Sequence, residues 1–144
     1  MRLRAATAAL AVAGTGIAAY LTYVHYAHVA PVCSSGGCEQ VQRSSYAELA
    51  GVPVAVLGLA AYVVLLASVA VRGAASTLVG VIVSFGGAAF SGYLLWAQLA
   101  RIHALCQWCL ANDAIIWLLA LVCAARLLAE PEAADTIRGP NRGA

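Results

Sequence analysis

Cys106-Gln107-Trp108-Cys109 places two thiols three residues apart at the start of a long apolar run, and Cys33 and Cys38 make a second close pair in a polar segment far upstream. Residues three apart on a helix share a face, so the sulfurs at 106 and 109 can approach bonding distance. A thiol in a first helical turn also feels the positive end of the helix dipole, which favours its thiolate. With a helix starting near Leu105, Cys106 is the better nucleophile and Cys109 lies one turn deeper. Two dithiols at one membrane face read as an electron relay. The same four thiols could instead make a tetrahedral zinc site. A second pair that opens a membrane helix, and an oxidising compartment, favour redox chemistry, so no metal is expected. Cys123 is expected to be a small buried apolar residue.

Asn112 and Asp113 follow Cys109 at i+3 and i+4, so they share its side of the helix one turn further in. Polar side chains at membrane depth are costly and are functional candidates by default. An amide and a protonatable carboxyl beside a thiol could hydrogen-bond a quinone carbonyl or move protons; equally, Asp113 could be solvated or bond a neighbouring helix. Phe90, Tyr93, Trp96, Trp108 and Trp117 could wall a ring-shaped ligand, although aromatics near bilayer interfaces are also ordinary anchors. His25, His28 and His103 fall near the same boundary and are assigned no catalytic role.

The elements that must position these residues are membrane helices. The 144 residues are 63% hydrophobic and 10% charged, with a mean hydropathy of +0.88, outside the usual mix of a soluble domain. Ala5 to Tyr26, Val52 to Val71, Ala74 to Ala100 and Trp108 to Ala125 are nearly free of charge, and each meets or approaches the ~20 residues needed to cross a bilayer. Long continuous runs exclude the short alternating segments of a β-barrel. All eight basic residues are arginines. With the N-terminus inside, Arg2, Arg4, Arg72, Arg126, Arg138 and Arg142 are cytoplasmic and only Arg43 and Arg101 lie outside, in keeping with the positive-inside rule. Both cysteine pairs then face the side where disulfides persist. No basic cluster suggests nucleic acid. The first run lacks a good cleavage site before Cys33 and is read as a retained span.

Between the first two spans, Gly36 and Gly37 permit the tight turn of a small ring. Ser44 or Ser45 can cap a short interfacial helix carrying Tyr46, Leu49 and Ala50, which Gly51 ends before Pro53 enters the first turn of the second span. Gly80, Ser84, Ala88 and Gly92 form a small-residue stripe read as packing within a bundle. The expected organisation is a membrane domain over 1–129 and a disordered cytoplasmic tail over 130–144.

In combination these marks resemble the vitamin K epoxide reductase family, in its short bacterial form without a fused thioredoxin-like domain, over roughly Ala5 to Leu128. They are the loop pair Cys33 and Cys38, Ser44-Ser45-Tyr46-Ala47, Gly51-Val52-Pro53 running into Val56-Leu57-Gly58, and Cys106-x-x-Cys109. The resemblance implies an all-α, four-transmembrane-helix bundle around a quinone, menaquinone or ubiquinone, with the loop covering the pocket. Ser44 matches the family serine six residues after the second loop cysteine. In the implied relay Cys33 meets a reduced thioredoxin-fold, DsbA-like partner supplied as another polypeptide; Cys38 passes electrons to Cys106; and Cys109 faces the quinone. Ser44, Asn112 and Asp113 are the expected quinone contacts. A DsbA-type oxidant, at about −120 mV, needs an acceptor more oxidising still, which a membrane quinone supplies. The loop pair is spaced more tightly than the family pattern, and Asp113 stands where vertebrate relatives carry tyrosine. The implied setting is the inner membrane, and a monomer is favoured. Reduction of a quinone epoxide, a DsbB-type enzyme and a membrane protein with purely structural disulfides are the alternatives.

Overall fold

A computed structural model describes residues 2–129 of the chain; the expected tail at 130–144 lies outside them. Four long helices dominate: α1 (Arg2–Ala27), α3 (Val54–Ala70), α4 (Ala74–Ala97) and α5 (Gln107–Ala129), with a short α2 (Cys38–Gln42) in the first connection. They run alternately up and down. α1 packs on α3 and α5, and α4 packs on the same two, so the four close into a ring. Three segments, Arg2–Ala27, Ala74–Ile102 and Gln107–Ala129, are long and apolar enough to cross a membrane, and the 17-residue Val54–Ala70 is apolar but shorter.

Hydrophobic attraction does not drive helices together in lipid, so close packing and internal hydrogen bonds must. Thr7, Thr15 and Thr22 return their hydroxyls to carbonyls one turn back on α1, at 2.7–2.8 Å. Along the stripe of α4, a Cβ added to Gly80 would lie 3.1 Å from the Ser68 hydroxyl and 3.8 Å from Cys123 Sγ, and the Ala88 carbonyl accepts the Trp117 indole N–H at 3.1 Å. The stripe therefore packs inside the bundle. The core comprises Ala11, Ala18, Tyr62, Leu65, Ile116, Leu119 and Cys123.

At the end of the bundle opposite the cysteine pairs, the Arg4 guanidinium donates to the carbonyls of Val69 and Val71, joining α1 to the end of α3. Arg126, counted above on the cytoplasmic side, has its side chain buried at that end. At the other end α4 continues as a short π-helix, Gln98–Ile102, which stops at His103 in the left-handed region (φ 55°). The connection between α1 and α3 departs from the expected capped helix. A single 3-10 turn, Ser45–Ala47, leads into a minimal antiparallel hairpin of β1 (Glu48–Leu49) and β2 (Val52–Pro53). Its two-residue corner, Ala50-Gly51, has positive φ at both positions (52° and 80°), as the mirror-image turns of hairpins require. Pro53 precedes the first residue of α3 rather than occupying its first turn.

Candidate redox site

α5 begins at Gln107, two residues after the expected start near Leu105, and its first hydrogen bonds put Cys106 in the N-cap position. Its sulfur accepts the backbone N–H of Cys109 at 3.3 Å, while its carbonyl accepts the Leu110 N–H at 2.9 Å. The Cys109 thiol donates to Cys106 Sγ at 2.7 Å. That donation, aided by backbone N–H groups of Cys109 and Trp108 and opposed by burial, lowers Cys106 from the ordinary thiol range to about 7. The lowering of Cys106 therefore comes first from the Cys109 thiol and then from the N–H groups of the first turn.

Cys33 and Cys38 are joined by a disulfide across 6.0 Å between Cα atoms, whereas Cys106, Cys109 and Cys123 are free thiols. Cys38 and Cys106 are both fully buried and share one apolar cluster, against which Cys33, Trp108 and Cys109 pack. Cys33 is only half-buried. Of the two loop glycines, Gly36 supplies the positive φ of the turn (77°). Gly37 is needed for a different reason: a Cβ there would lie 2.5 Å from the Leu105 carbonyl oxygen. Loop backbone thus packs directly on the backbone that leads into Cys106. Cys123 lies in the core beside Gly80, remote from both pairs.

Beyond Cys109 the four long helices and the loop enclose a cavity of about 250 Å³, mostly apolar, into which Cys109, Asn112, Asp113 and Ser44 all face. Tyr62 on α3, fully buried, donates its hydroxyl to Asn112 Oδ1 at 2.7 Å. Asp113 is 7% exposed and bonds the neighbouring helix by accepting the Ser91 hydroxyl at Oδ1. Among the described residues its Oδ2 has no partner. Ser44 donates its single proton to the Val41 carbonyl at 2.7 Å, so it offers the cavity an acceptor. Of the five aromatics considered as walls, only Phe90 lines it. Tyr93 and Trp96 extend from Phe90 as a ladder about half exposed on the outside of α4. His25 also lines the cavity and pairs with Glu48 of the hairpin at 3.5 Å.

The profile of the vitamin K epoxide reductase family matches residues 5–124, most of the chain and all four cysteines of the two pairs. The chain belongs to the vitamin K epoxide reductase family. No curated protein matches it. Membership in the vitamin K epoxide reductase family makes it a membrane-embedded oxidoreductase of thiol-disulfide or quinone type, a class whose members generally use quinones.

Four further side chains of this vitamin K epoxide reductase-type site were not singled out from the sequence. Gln98, 2% exposed, accepts the Cys106 N–H at its Oε1 (2.9 Å) and holds the start of α5. Gln42 directs its amide at Cys109 Sγ, 3.7 Å away. Tyr62 and Ser91 hold Asn112 and Asp113. Gln98 carried a readable signal, as a lone amide inside an apolar run; the others needed the helix orientations.

Proposed function

We propose that this protein reoxidises a DsbA-like, thioredoxin-fold partner outside the cytoplasm and delivers the electrons to a membrane quinone. The observation that carries the reading is the shared burial of Cys38 and Cys106 in one cluster, with Cys109 one turn on at the wall of the cavity. All four long helices serve as spans: α3 rises about 25 Å at 1.5 Å per residue, close to the ~30 Å hydrocarbon core, and is continued by the hairpin. The arginine distribution puts both chain ends in the cytoplasm and the cysteines on the outer face of the inner membrane.

The steps balance as thiol-disulfide exchange. A partner thiolate attacks the accessible Cys33 of the Cys33–Cys38 disulfide and is resolved by the partner's second thiol, which leaves both loop cysteines reduced. Cys38 then attacks Cys106 in an oxidised Cys106–Cys109 pair, expelling Cys109 as thiolate, and Cys33 attacks Cys38 to release Cys106. The terminal dithiol gives up two electrons and two protons. A bound quinone supplies the matching sink for both. The cavity fits such a ligand: it is near the lower end of small-molecule pockets (~300 Å³), suits a ring head group, and offers the Asn112 amide and the Asp113 carboxyl to carbonyl oxygens.

Purified protein in detergent, given a reduced thioredoxin-fold protein and menaquinone or ubiquinone, should reduce the quinone. Cys106→Ala and Cys109→Ala should each abolish turnover, whereas Cys123→Ala stays near wild type. Normal turnover without Cys106 or Cys109 would remove the relay.

A further inference from the structure

Gln107 and Trp108 separate the two cysteines of the terminal pair, and neither is needed for the chemistry of that pair. Both are engaged with the loop. Trp108 donates its indole N–H to the Val32 carbonyl at 2.6 Å, and its ring lies 4.9 Å from that of Tyr20. The Tyr20 hydroxyl in turn accepts the Val32 N–H at 3.0 Å. Gln107 Oε1 accepts twice from Ser34, from the backbone N–H at 3.1 Å and from the hydroxyl at 2.7 Å. Residues 32 and 34 are therefore fixed on either side of Cys33. One residue further on, the Ser35 hydroxyl donates to the Leu105 carbonyl at 3.1 Å.

We propose that Gln107 and Trp108 are positioning residues that clamp the loop onto the start of α5, so that Cys38 is presented to Cys106 when the loop is reduced. The inference rests on the relay proposed above and adds the device that registers its two halves. Disulfide exchange needs the attacking thiolate close to the disulfide and in line with it. Once a partner has reduced Cys33–Cys38, the covalent ring that shapes the loop is open, and its register depends on non-covalent contacts. The clamp contacts belong to the same helical turn as the acceptor sulfurs, so a movement of α5 carries clamp and acceptor together. The residue types suit the task. A glutamine carbonyl accepts two hydrogen bonds at once and an indole only donates, so the two side chains answer the Ser34 donors and the Val32 acceptor without competing.

The test compares Gln107→Met, which keeps length and removes the acceptor, Trp108→Phe, which keeps a ring and removes the donor, their combination, and Gln107→Glu, which restores an acceptor. In the Cys33→Ala/Cys109→Ala/Cys123→Ala background, diamide oxidises the remaining Cys38 and Cys106 thiols to a disulfide, and a non-reducing gel gives its rate. The Gln107→Met/Trp108→Phe combination should slow this cross-link roughly 10- to 100-fold, the scale of a misplaced reacting pair, and Gln107→Glu should recover most of the Gln107→Met loss. With all cysteines present, turnover driven by a reduced thioredoxin-fold protein should fall in parallel. Turnover driven by dithiothreitol, which bypasses the loop, should stay within about twofold. From the loop side, Ser34→Ala should cost little once Gln107→Met is present. An unchanged cross-linking rate, or equal loss with both reductants, would overturn the clamp. Failure of the relay is distinguishable: unmodified protein would then not couple a reduced thioredoxin-fold protein to quinone, while the cross-linking rate still depended on residues 107 and 108.

Discussion

Gly14 on α1 faces the ring of Tyr62 so closely that a Cβ there would stand 2.3 Å from two ring carbons and 2.8 Å from a third. Tyr62 cannot swing aside freely, because it is buried in the core and its hydroxyl is bonded to Asn112. Gly14→Ala therefore forces either the ring or α1 to move. Overpacking of this kind costs about 1–3 kcal/mol, and the interhelical hydrogen bond at risk adds roughly 0.6 kcal/mol by the average for membrane helices. Thermal unfolding in detergent should show the loss as a lowered midpoint. The sharper assay is a cycle with Tyr62→Leu, which removes the obstructing ring. Gly14→Ala should be nearly neutral in the Tyr62→Leu background, giving a coupling of about 1–3 kcal/mol. Displaced Tyr62 would also release Asn112, so the KM for quinone should rise a few-fold while Cys106 alkylation is unaffected. An equal penalty for Gly14→Ala with and without the tyrosine ring would refute the argument, since the strain would then lie elsewhere along α1.

Four further outcomes concern the cysteines and the face they occupy. With Cys106 lowered to about 7, its thiolate fraction rises as pH increases through 7, so a thiol-limited rate should climb between pH 6 and 8 and then level off; a midpoint near the ordinary thiol value would contradict the capping geometry. The same shift should make the reduced protein more stable as pH rises from 7 towards 9, where the unfolded thiol still holds its proton, and that gain should be absent below 7; denaturant midpoints across this range check the sign. A membrane-impermeant maleimide added outside reduced cells should label Cys33 and fail to label an Arg72→Cys substitution, and the reverse pattern would invert the topology. In a Cys38→Ala protein the half-buried Cys33 thiolate should attack the disulfide of an oxidised thioredoxin-fold partner, expelling the partner's second thiolate, and the mixed disulfide should accumulate because Cys38, which would displace the partner by attacking Cys33, is gone; finding the partner on Cys38 in a Cys33→Ala protein, and none on Cys33, would exchange the roles of the two.

The long apolar runs announced α1, α4 and α5 to within a few residues, because lipid demands continuous helices and tolerates few charges within them. The two cysteine pairs were equally legible as pairs, since their spacing is local information. What the chain did not disclose depends on rotation and depth. Trp108 reads as one more interfacial aromatic until its indole N–H is seen on Val32. Gly37 reads as half of a flexible pair, yet it serves close contact with Leu105 while Gly36 alone takes the left-handed backbone. The segment after Ser44 offered helix-capping residues, but Ala50-Gly51 and the following Val52-Pro53 form a hairpin, and only the tertiary setting of α3 decides between the two. Arg126 illustrates the limit of counting charges: a basic residue near the end of a span signals topology even when its side chain is folded inward.

Electrons can pass from sulfur to sulfur, but the protons that accompany them need a route of their own, and the polar groups of the cavity narrow the choice. Asn112 receives the Tyr62 proton at Oδ1, so it has amide N–H groups to offer and no proton to give away. Ser44 has already committed its proton to Val41. Asp113 differs from both: Ser91 occupies Oδ1, and Oδ2 is buried without a partner among the described residues at the wall of the cavity. A carboxyl in that setting can accept a proton from the dithiol and return it to an adjacent oxygen. Asp113→Asn preserves a hydrogen-bond donor of the same size and removes the transferable proton. The KM for quinone should therefore stay within about threefold, while kcat falls on the order of 100-fold, the lower range of general acid-base contributions. Asp113→Leu should raise KM as well, because it removes the donor along with the acid. Stopped-flow measurement of quinone reduction by the pre-reduced protein separates the two effects from partner exchange. An Asp113→Asn protein with wild-type kcat would mean that protons travel directly from Cys109 or from solvent, and would reduce Asp113 to a tether between α5 and α4.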